Sequence, residues 1–348
     1  MTMTIVEAAR GVTGGVDTHL DVHVAAALDP LGALLGSESF ETTTAGYKSL
    51  LAWLESFGEV AKVGMEGTGS YGAGLARFLR KADIKVIDVN QPNRAERRRN
   101  GKSDPLDAIE AARAALGGRA TSISKTKDGP VEAIRVLVVA KRSACQARVK
   151  ALTQMRHLVI TAPDQLRCRF KGLTVVALVS EASRLRSSRS GDPVAAAHKA
   201  SLSSLAHRIQ SLEEEIAELE QRIESLLVVT APELLARFGV GPDTAAALLV
   251  SAGDNPERLH SEAAWAHLCG VAPISASSGK TTRHRLDRGG DRHANSALWR
   301  IVMVRIAHDP NTTAYFERKV KEGRSKRDVI RLLKRYVARE MYHYLPRG

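Results

Sequence analysis

At 348 residues, 44% hydrophobic and 26% charged, the chain has the make-up of a soluble protein with room for two or three domains. Three isolated cysteines (Cys145, Cys168, Cys269) exclude a disulfide framework and a zinc ribbon and point to a reducing, cytoplasmic setting; with no signal-peptide pattern and no apolar run near ~20 residues, neither secretion nor a membrane span is expected. The net charge of +13 is uneven: residues 1–120 carry 14 Lys/Arg against 15 Asp/Glu, residues 121–230 carry 17 against 11, and residues 231–348 carry 20 against 12, so acidic chemistry is expected in the first third and a polyanion-holding surface in the rest.

Residues 1–12 read as a lead-in to a domain over 13–120. In GGVDTHLDVHVAAALDPLG, small and β-branched residues alternate from Val22 to Leu28 before an Asp29-Pro30-Leu31-Gly32 turn, which predicts a hairpin with Asp17 in its first strand. A helix is expected from about Thr44 to Phe57, with Leu50, Leu51 and Leu54 as its apolar face. Ala61 to Met65 reads as a strand ending at Glu66, followed by GTGSYGAGLARFLRK, a Gly-rich turn into a helix whose spacing fits neither the P-loop nor the dinucleotide fingerprint. Ile84 to Val89 is a further strand, and a basic loop with Arg97, Arg98, Arg99 and Lys102 follows. Alternating strands and helices make this an α/β domain with a mixed sheet.

The next segment, SDPLDAIEAARAAL, reads as a helix to about Leu116. Pro105 suits a first helical position and Asp is a preferred N-cap, so Asp104 may be read as a cap with Asp107 as a capping-box-like partner. The other reading uses their i, i+3 spacing, which puts both carboxylates on one face. Joined by Asp17 and Glu66 at strand ends, they form a set able to hold a divalent metal against a phosphodiester.

Residues 121–230 read as helical. Apolar residues from Val131 to Thr161 recur near helical spacing until Pro163, and SRLRSSRSGDP at 183–193 reads as an exposed basic loop. Leu205, Ile209, Leu212, Ile216, Leu219, Ile223 and Leu226 then form a heptad seam flanked by glutamates. Two partners suit it: the 131–160 helix of the same chain, or a second chain in a coiled coil.

From Ala231 the character changes. LLARFGVGPDTAAALLVSAG resembles a helix-hairpin-helix element, in which Gly239 and Gly241 would aim helix-start amides at a phosphate; an ordinary glycine-containing connection suits it equally. Lys280, Arg283, Arg285, Arg288 and Arg292 cluster around polar loops, which favours nucleic acid, whereas His284 and His293 lack metal-type spacing. SKRDVIRLLKRYVARE is an amphipathic basic helix, with Ile330, Leu333 and Val337 toward a core and Arg327, Arg331, Lys334, Arg335 and Arg339 outward.

GVDTHLDVH, MEGTGSYG and NQPNRAERRRNGKSDPLDA together resemble the DEDD-type transposases of bacterial insertion sequences, whose first domain is similar to RuvC Holliday-junction resolvases with a ribonuclease-H-like fold. The resemblance implies that Asp17, Glu66, Asp104 and Asp107 are a catalytic, metal-binding tetrad for Mg2+, or Mn2+ in its place; Ser103 stands where the pattern leads one to expect Thr. The block AWAHLCGVAPISASSGKTTRHRLDRGGDRHANSALWR resembles the C-terminal domain of the same family, which implies a serine that attacks DNA and forms a phosphoserine link. Ser278, directly before Gly279, is the best match, with Ser277 and Ser275 as close competitors. The family further implies an RNA-guided recombinase acting on double-stranded donor and target DNA with a structured bridge RNA. It also implies a homodimer or tetramer in which the tetrad of one subunit meets the serine domain of another, working at the nucleoid of a bacterial cytoplasm. The fold expected is α/β plus all-α: a RuvC-like mixed-sheet domain, a helical or coiled-coil middle that dimerises, and a mostly helical C-terminal domain over 231–348. Two rival readings stand beside it: a RuvC-like, metal-dependent junction-resolving endonuclease without a covalent intermediate, and a non-enzymatic nucleic-acid binder.

Overall fold

The computed structural model describes residues 11–89, 103–186, 192–278 and 284–346. They fall into two compact units. One holds the described residues up to Gly129 together with Ala252–His260, and the other those of Pro130–Ser251 and Ser261–Pro346.

The first unit is built on a five-stranded sheet of order β3-β2-β1-β4-β5, from β1 (Gly11–Thr18), β2 (Val22–Leu28), β3 (Leu34–Glu41), β4 (Glu59–Met65) and β5 (Val86–Asp88). β1, β2 and β3 run antiparallel in sequence, while β4 lies parallel to β1 and β5 parallel to β4. This is the mixed sheet expected of a ribonuclease-H-like domain. One detail differs: the stretch read as a hairpin is a three-stranded meander. The chain turns at residues 19–21 as well as at 29–33, so β1 and β2 are separate strands, with Thr18 opposite His23.

Side chains alternate across the sheet, and each face takes its own helices. Val12, Val16, Ala25 and Ala27 pack with Leu50 and Leu54 of α1 (Thr44–Glu55) and with Leu75 and Leu79 of α2 (Ala73–Lys81). The opposite face receives α3 (Asp104–Leu116), where Val24 and Ala26 meet Ala108. Here the approach is very close. A Cβ on Gly15 would lie 2.1 Å from the Ala108 carbonyl oxygen and 2.4 Å from the Ala112 nitrogen, and one on Gly64 would lie 2.3 Å from the Ala111 carbonyl oxygen. Only glycine on the strands, opposite alanine on the helix, lets the two backbones come this near.

The first unit is completed by a later segment. Buried Asn255 donates to the Ser124 carbonyl (3.1 Å) and accepts from the Thr126 amide (3.2 Å). Arg80 of α2 reaches the same residues, donating to Ser124 Oγ at 2.7 Å and to the Thr126 carbonyl.

The second unit is mostly helical. It contains α4 (Pro130–Thr161), α5 (Asp164–Phe170), α6 (Val175–Ser183), α7 (Pro193–Thr230), α8 (Pro232–Leu235), α9 (Pro242–Ala252), α10 (Glu262–Leu268), α11 (Arg292–His308), α12 (Pro310–Lys321) and α13 (Lys326–Tyr342), with a small hairpin of β6 (Ile274–Ser275) and β7 (His284–Arg285). α4 and α7 pack antiparallel. Arg148 pairs with Glu213 at 2.7 Å and Lys141 with Glu220 at 2.8 Å, so seven residues back along one helix is seven forward along the other. Leu202, Ala206 and Ile209 of α7 share a core with Ala151 and Met155 of α4 and with α5 and α6, and Leu205 packs against it, so this end of the heptad seam is packed within the chain. No helix among the described residues is long and apolar enough to cross a membrane.

Gly15→Ala is expected to lower the stability of the first unit by at least the ~1–3 kcal/mol typical of overpacking, because the obstructing atoms are backbone and cannot swing aside. Gly64→Ala should do the same. Denaturant unfolding followed by far-UV circular dichroism checks both.

Candidate metal centre and nucleic-acid surface

β1 and β4 end side by side. Gly15 is level with Gly64 and Val16 with Met65, and the Glu66 amide continues the ladder by donating to the Val16 carbonyl (3.3 Å). By strand alternation Asp17 lies on the face of Gly15, and Glu66 on the face of Gly64, which is the side covered by α3. The Thr18 hydroxyl donates to the Glu66 carbonyl (3.0 Å) and ties the two strand ends together.

The start of α3 lies against these ends. Asp104 does not cap it: Ser103 occupies the N-cap position with extended backbone (φ −150°, ψ 148°), and its side chain makes no capping hydrogen bond. The Asp107 amide opens the helical ladder by donating to the Ser103 carbonyl (3.0 Å). The capping-box reading is therefore corrected: neither Asp104 nor Asp107 holds the N-cap position. Asp107 and Asp17 are buried, at 5% and 8% exposure, and Asp104 is half exposed.

A residue that the sequence reading passed over joins them. His19 Nε2 lies 3.1 Å from Asp17 Oδ2 and 3.5 Å from Asp104 Oδ2, and one donor atom from each of the three lies within 4.8 Å of the others. Ligands in neighbouring positions on an octahedral ion with bonds of ~2.1 Å are about 3 Å apart, so this donor set fits a divalent cation. Burial holds the Asp17 carboxyl above its ordinary value of 3.8; His19 draws it down, and Asp107 and Asp104 push it further up. A cation relieves such crowding of acids. The signal for His19 was its i, i+2 offset from Asp17 at a strand end. His23 differs: it is fully buried on β2, stacked on Tyr47 with ring centroids 5.8 Å apart, and neither ring nitrogen has a hydrogen-bond partner among the described residues. Burial, and then His19, lowers its pKa and keeps it neutral.

In the second unit, Gly239 takes a positive φ of 81° in the turn between α8 and α9. The Gly241 amide is engaged by Thr244 Oγ1 (2.9 Å), and Asp243 in the first turn of α9 pairs with Lys141 (2.6 Å). Ser275 lies on β6, with Ser277 and Ser278 beyond it. All three are exposed, and the Ser275 hydroxyl donates to Ser277 Oγ (3.4 Å). Arg285 on β7, Arg288, and Arg292 at the start of α11 are exposed on the same unit. Arg97, Arg98, Arg99, Lys102, Lys280 and Arg283 lie outside the described residues.

The raised pKa of Asp17 sets a pH dependence. Ionising it costs stability, a cost absent below the ordinary value of 3.8, growing as pH rises through the shifted pKa, and full at neutral pH. Asp17→Asn is therefore expected to raise the Tm of the metal-free protein at pH 7, while added divalent cation is expected to raise the wild-type Tm and leave this variant unmoved. Differential scanning calorimetry with and without the ion reads both effects.

Comparison with known proteins bears on both units. A DEDD transposase (IS110) family model, described as "Transposase", matches residues 14–162, and the model of the "Transposase IS116/IS110/IS902 family" matches residues 231–317. A protein of Streptomyces coelicolor described as "Insertion element IS110 uncharacterized 43.6 kDa protein" is 31% identical over 135 residues, 38% of this chain; the match spans about a third (33%) of the relative's own length. With the carboxylate-bearing strand ends in the first matched region and the serine hairpin in the second, the chain belongs to the IS116/IS110/IS902 transposase family, its first unit being of the DEDD type.

Proposed function

We propose that the protein is an RNA-guided DNA recombinase of an insertion element, which cuts and rejoins strands of double-stranded donor and target DNA. The observation that carries this reading is the meeting of Asp17, His19 and Asp104 at the end of the sheet, in a chain whose two matched regions both belong to transposase models.

In this reading Asp17, Glu66, Asp104 and Asp107 hold Mg2+, or Mn2+ in its place, and the bound ion supplies Lewis-acid charge beside the scissile phosphate. The protein's own chemistry lies in the serine hairpin. Ser278 Oγ attacks phosphorus, the bond from phosphorus to the departing sugar oxygen breaks, and that oxygen gains a proton as the serine hydroxyl loses one. A sugar hydroxyl from the second strand then attacks the phosphoserine and releases the serine. Ser275 and Ser277, on the same exposed hairpin, are the other candidates for this role. Arg285, Arg288 and Arg292 hold phosphates near it, and the basic residues outside the described segments add to that surface. Choice of sequence then falls to base pairing by a bridge RNA, with a dimer or tetramer bringing two DNA sites together. The glutamate-flanked seam of α7, half-buried at Leu212, Ile216 and Leu219, leaves apolar surface that would suit such an assembly.

A junction-resolving hydrolase is the second reading, because the carboxylate cluster alone suffices to direct water at a phosphodiester. Ser278→Ala separates the two. Recombination predicts loss of strand joining and of any protein–DNA adduct on a denaturing gel, whereas a hydrolase keeps cutting. Asp104→Asn is expected to abolish strand transfer while nucleic-acid binding persists, and retained transfer would remove the metal-site assignment. Nucleic acid that co-purifies with the protein should, on extraction and sequencing, be one structured RNA of uniform length; a heterogeneous mixture counts against the guided form.

A further inference from the structure

Of the three tryptophans, Trp265 is fully buried and Trp53 packs between Phe40 and Phe57. Trp299 is different. It is 46% exposed and stands on the stripe of α11 formed with Arg292, Asn295 and Ser296, at i, i+3, i+4 and i+7. That stripe forms one wall of a cleft of about 500 Å3. Arg331 and Lys334 of α13 line it as well, together with Arg288 from the segment before α11.

The cleft is held in shape by fixed polar groups. Lys334 Nζ donates to Asn295 Oδ1 (2.8 Å), and the Asn295 amide donates to the carbonyls of Cys269 and Gly270 (2.9 and 3.0 Å). The Lys334 ammonium is half-buried, and its pKa is lowered first by that burial and then by Arg331. Asp287 also lines the cleft and Arg331 pairs with Asp328 (2.7 Å), but cations outnumber acids along it, which favours an anion. A second cleft, of about 350 Å3, shares Arg331 and Lys334 with the first and runs to His284 and Arg285 of β7. β7 pairs with β6 so that His284 lies opposite Ser275. A basic trough therefore leads from the exposed indole to the serine hairpin.

We propose that this trough binds a single strand of DNA, with one unpaired base stacked on Trp299 and its flanking phosphates on Arg292, Arg331 and Lys334, so that the strand is led toward the serine hairpin. The volume is that of a small-molecule site, enough for one nucleotide and far less than a duplex fills. Stacking also needs a bare base face, which a paired base inside a duplex does not offer. The proposal deepens the strand-transfer reading, but binding can be measured without cutting, so the two fail separately.

The test is fluorescence anisotropy in EDTA with labelled oligomers of about 12 nucleotides: single-stranded DNA, the matching duplex, and single-stranded RNA of the same sequence. Base stacking is worth ~1–3 kcal/mol, so Trp299→Leu should weaken single-stranded DNA binding roughly 5- to 150-fold and leave duplex binding unchanged. Trp299→Phe, which keeps an aromatic face, should restore most of the loss. Arg292→Ala should weaken both forms and flatten their salt dependence. Equal losses for duplex and single strand, no loss at all, a Trp299-dependent preference for RNA, or a change of oligomeric state in Trp299→Leu on sedimentation would each overturn the proposal. If the wild type transfers no strands yet keeps Trp299-dependent binding, the catalytic reading falls and this one stands.

Discussion

The contact on which the first unit depends is the approach of an alanine-faced helix to two glycines in neighbouring strands. Gly15 and Gly64 allow the backbone of the helix starting at Asp104 to lie against the sheet at a distance no side chain would permit. Two residues beyond each glycine comes an acid, Asp17 on one strand and Glu66 just past the other, and the helix brings its own acids, Asp104 and Asp107, at its first turn. Packing and geometry are thus one arrangement: the same close approach that fills the core at Ala108, Ala111 and Ala112 brings Asp104 of the helix to Asp17 at the strand end.

That arrangement has an electrostatic cost at Asp17. Asp17 and Asp107 are nearly buried and Asp104 stands beside them, so the strand ends gather negative charge where solvent screens it poorly. His19 supplies a local partner from just past the end of the strand, reaching both Asp17 and Asp104. A cluster of this kind trades stability for the capacity to hold a cation, a compromise common at functional sites.

Much of this was legible in the sequence, for reasons that differ by segment. The strand ending at Glu66, the helix with Leu50 and Leu54 on its buried face, and the long helix that stops before Pro163 all follow periodicity and punctuation strong enough to survive tertiary context. Asp17 and Asp104, which meet at His19, were both among the acids singled out, because their order and local motifs resemble those of a known family. The extra turn at residues 19–21 was not, because GGVDTHLDVHVAAAL contains neither proline nor a turn-type glycine at that point. The sequence left Asp104 two roles, cap or metal ligand, because Pro105 suits either of the first helical positions, and the backbone gives the cap to Ser103. His19 carried only its i, i+2 offset from Asp17, a weak signal because its other partner, Asp104, lies 85 residues away in sequence. The heptad seam allowed two partners, and the matched register of Arg148 with Glu213 and Lys141 with Glu220 selects the one within the chain for the helix pair itself.

Asn255 gives the order of synthesis a structural meaning. Its amide group closes hydrogen bonds with Ser124 and Thr126, yet it leaves the ribosome more than a hundred residues after them. At ~5–20 residues per second that interval is roughly 6–25 s. During it the nascent first unit has its sheet and helices but not its last polar partner, while the long helix pair is still being made. The unit therefore matures only as translation nears the C-terminal region, and the acids at its strand ends spend that interval in a unit not yet closed.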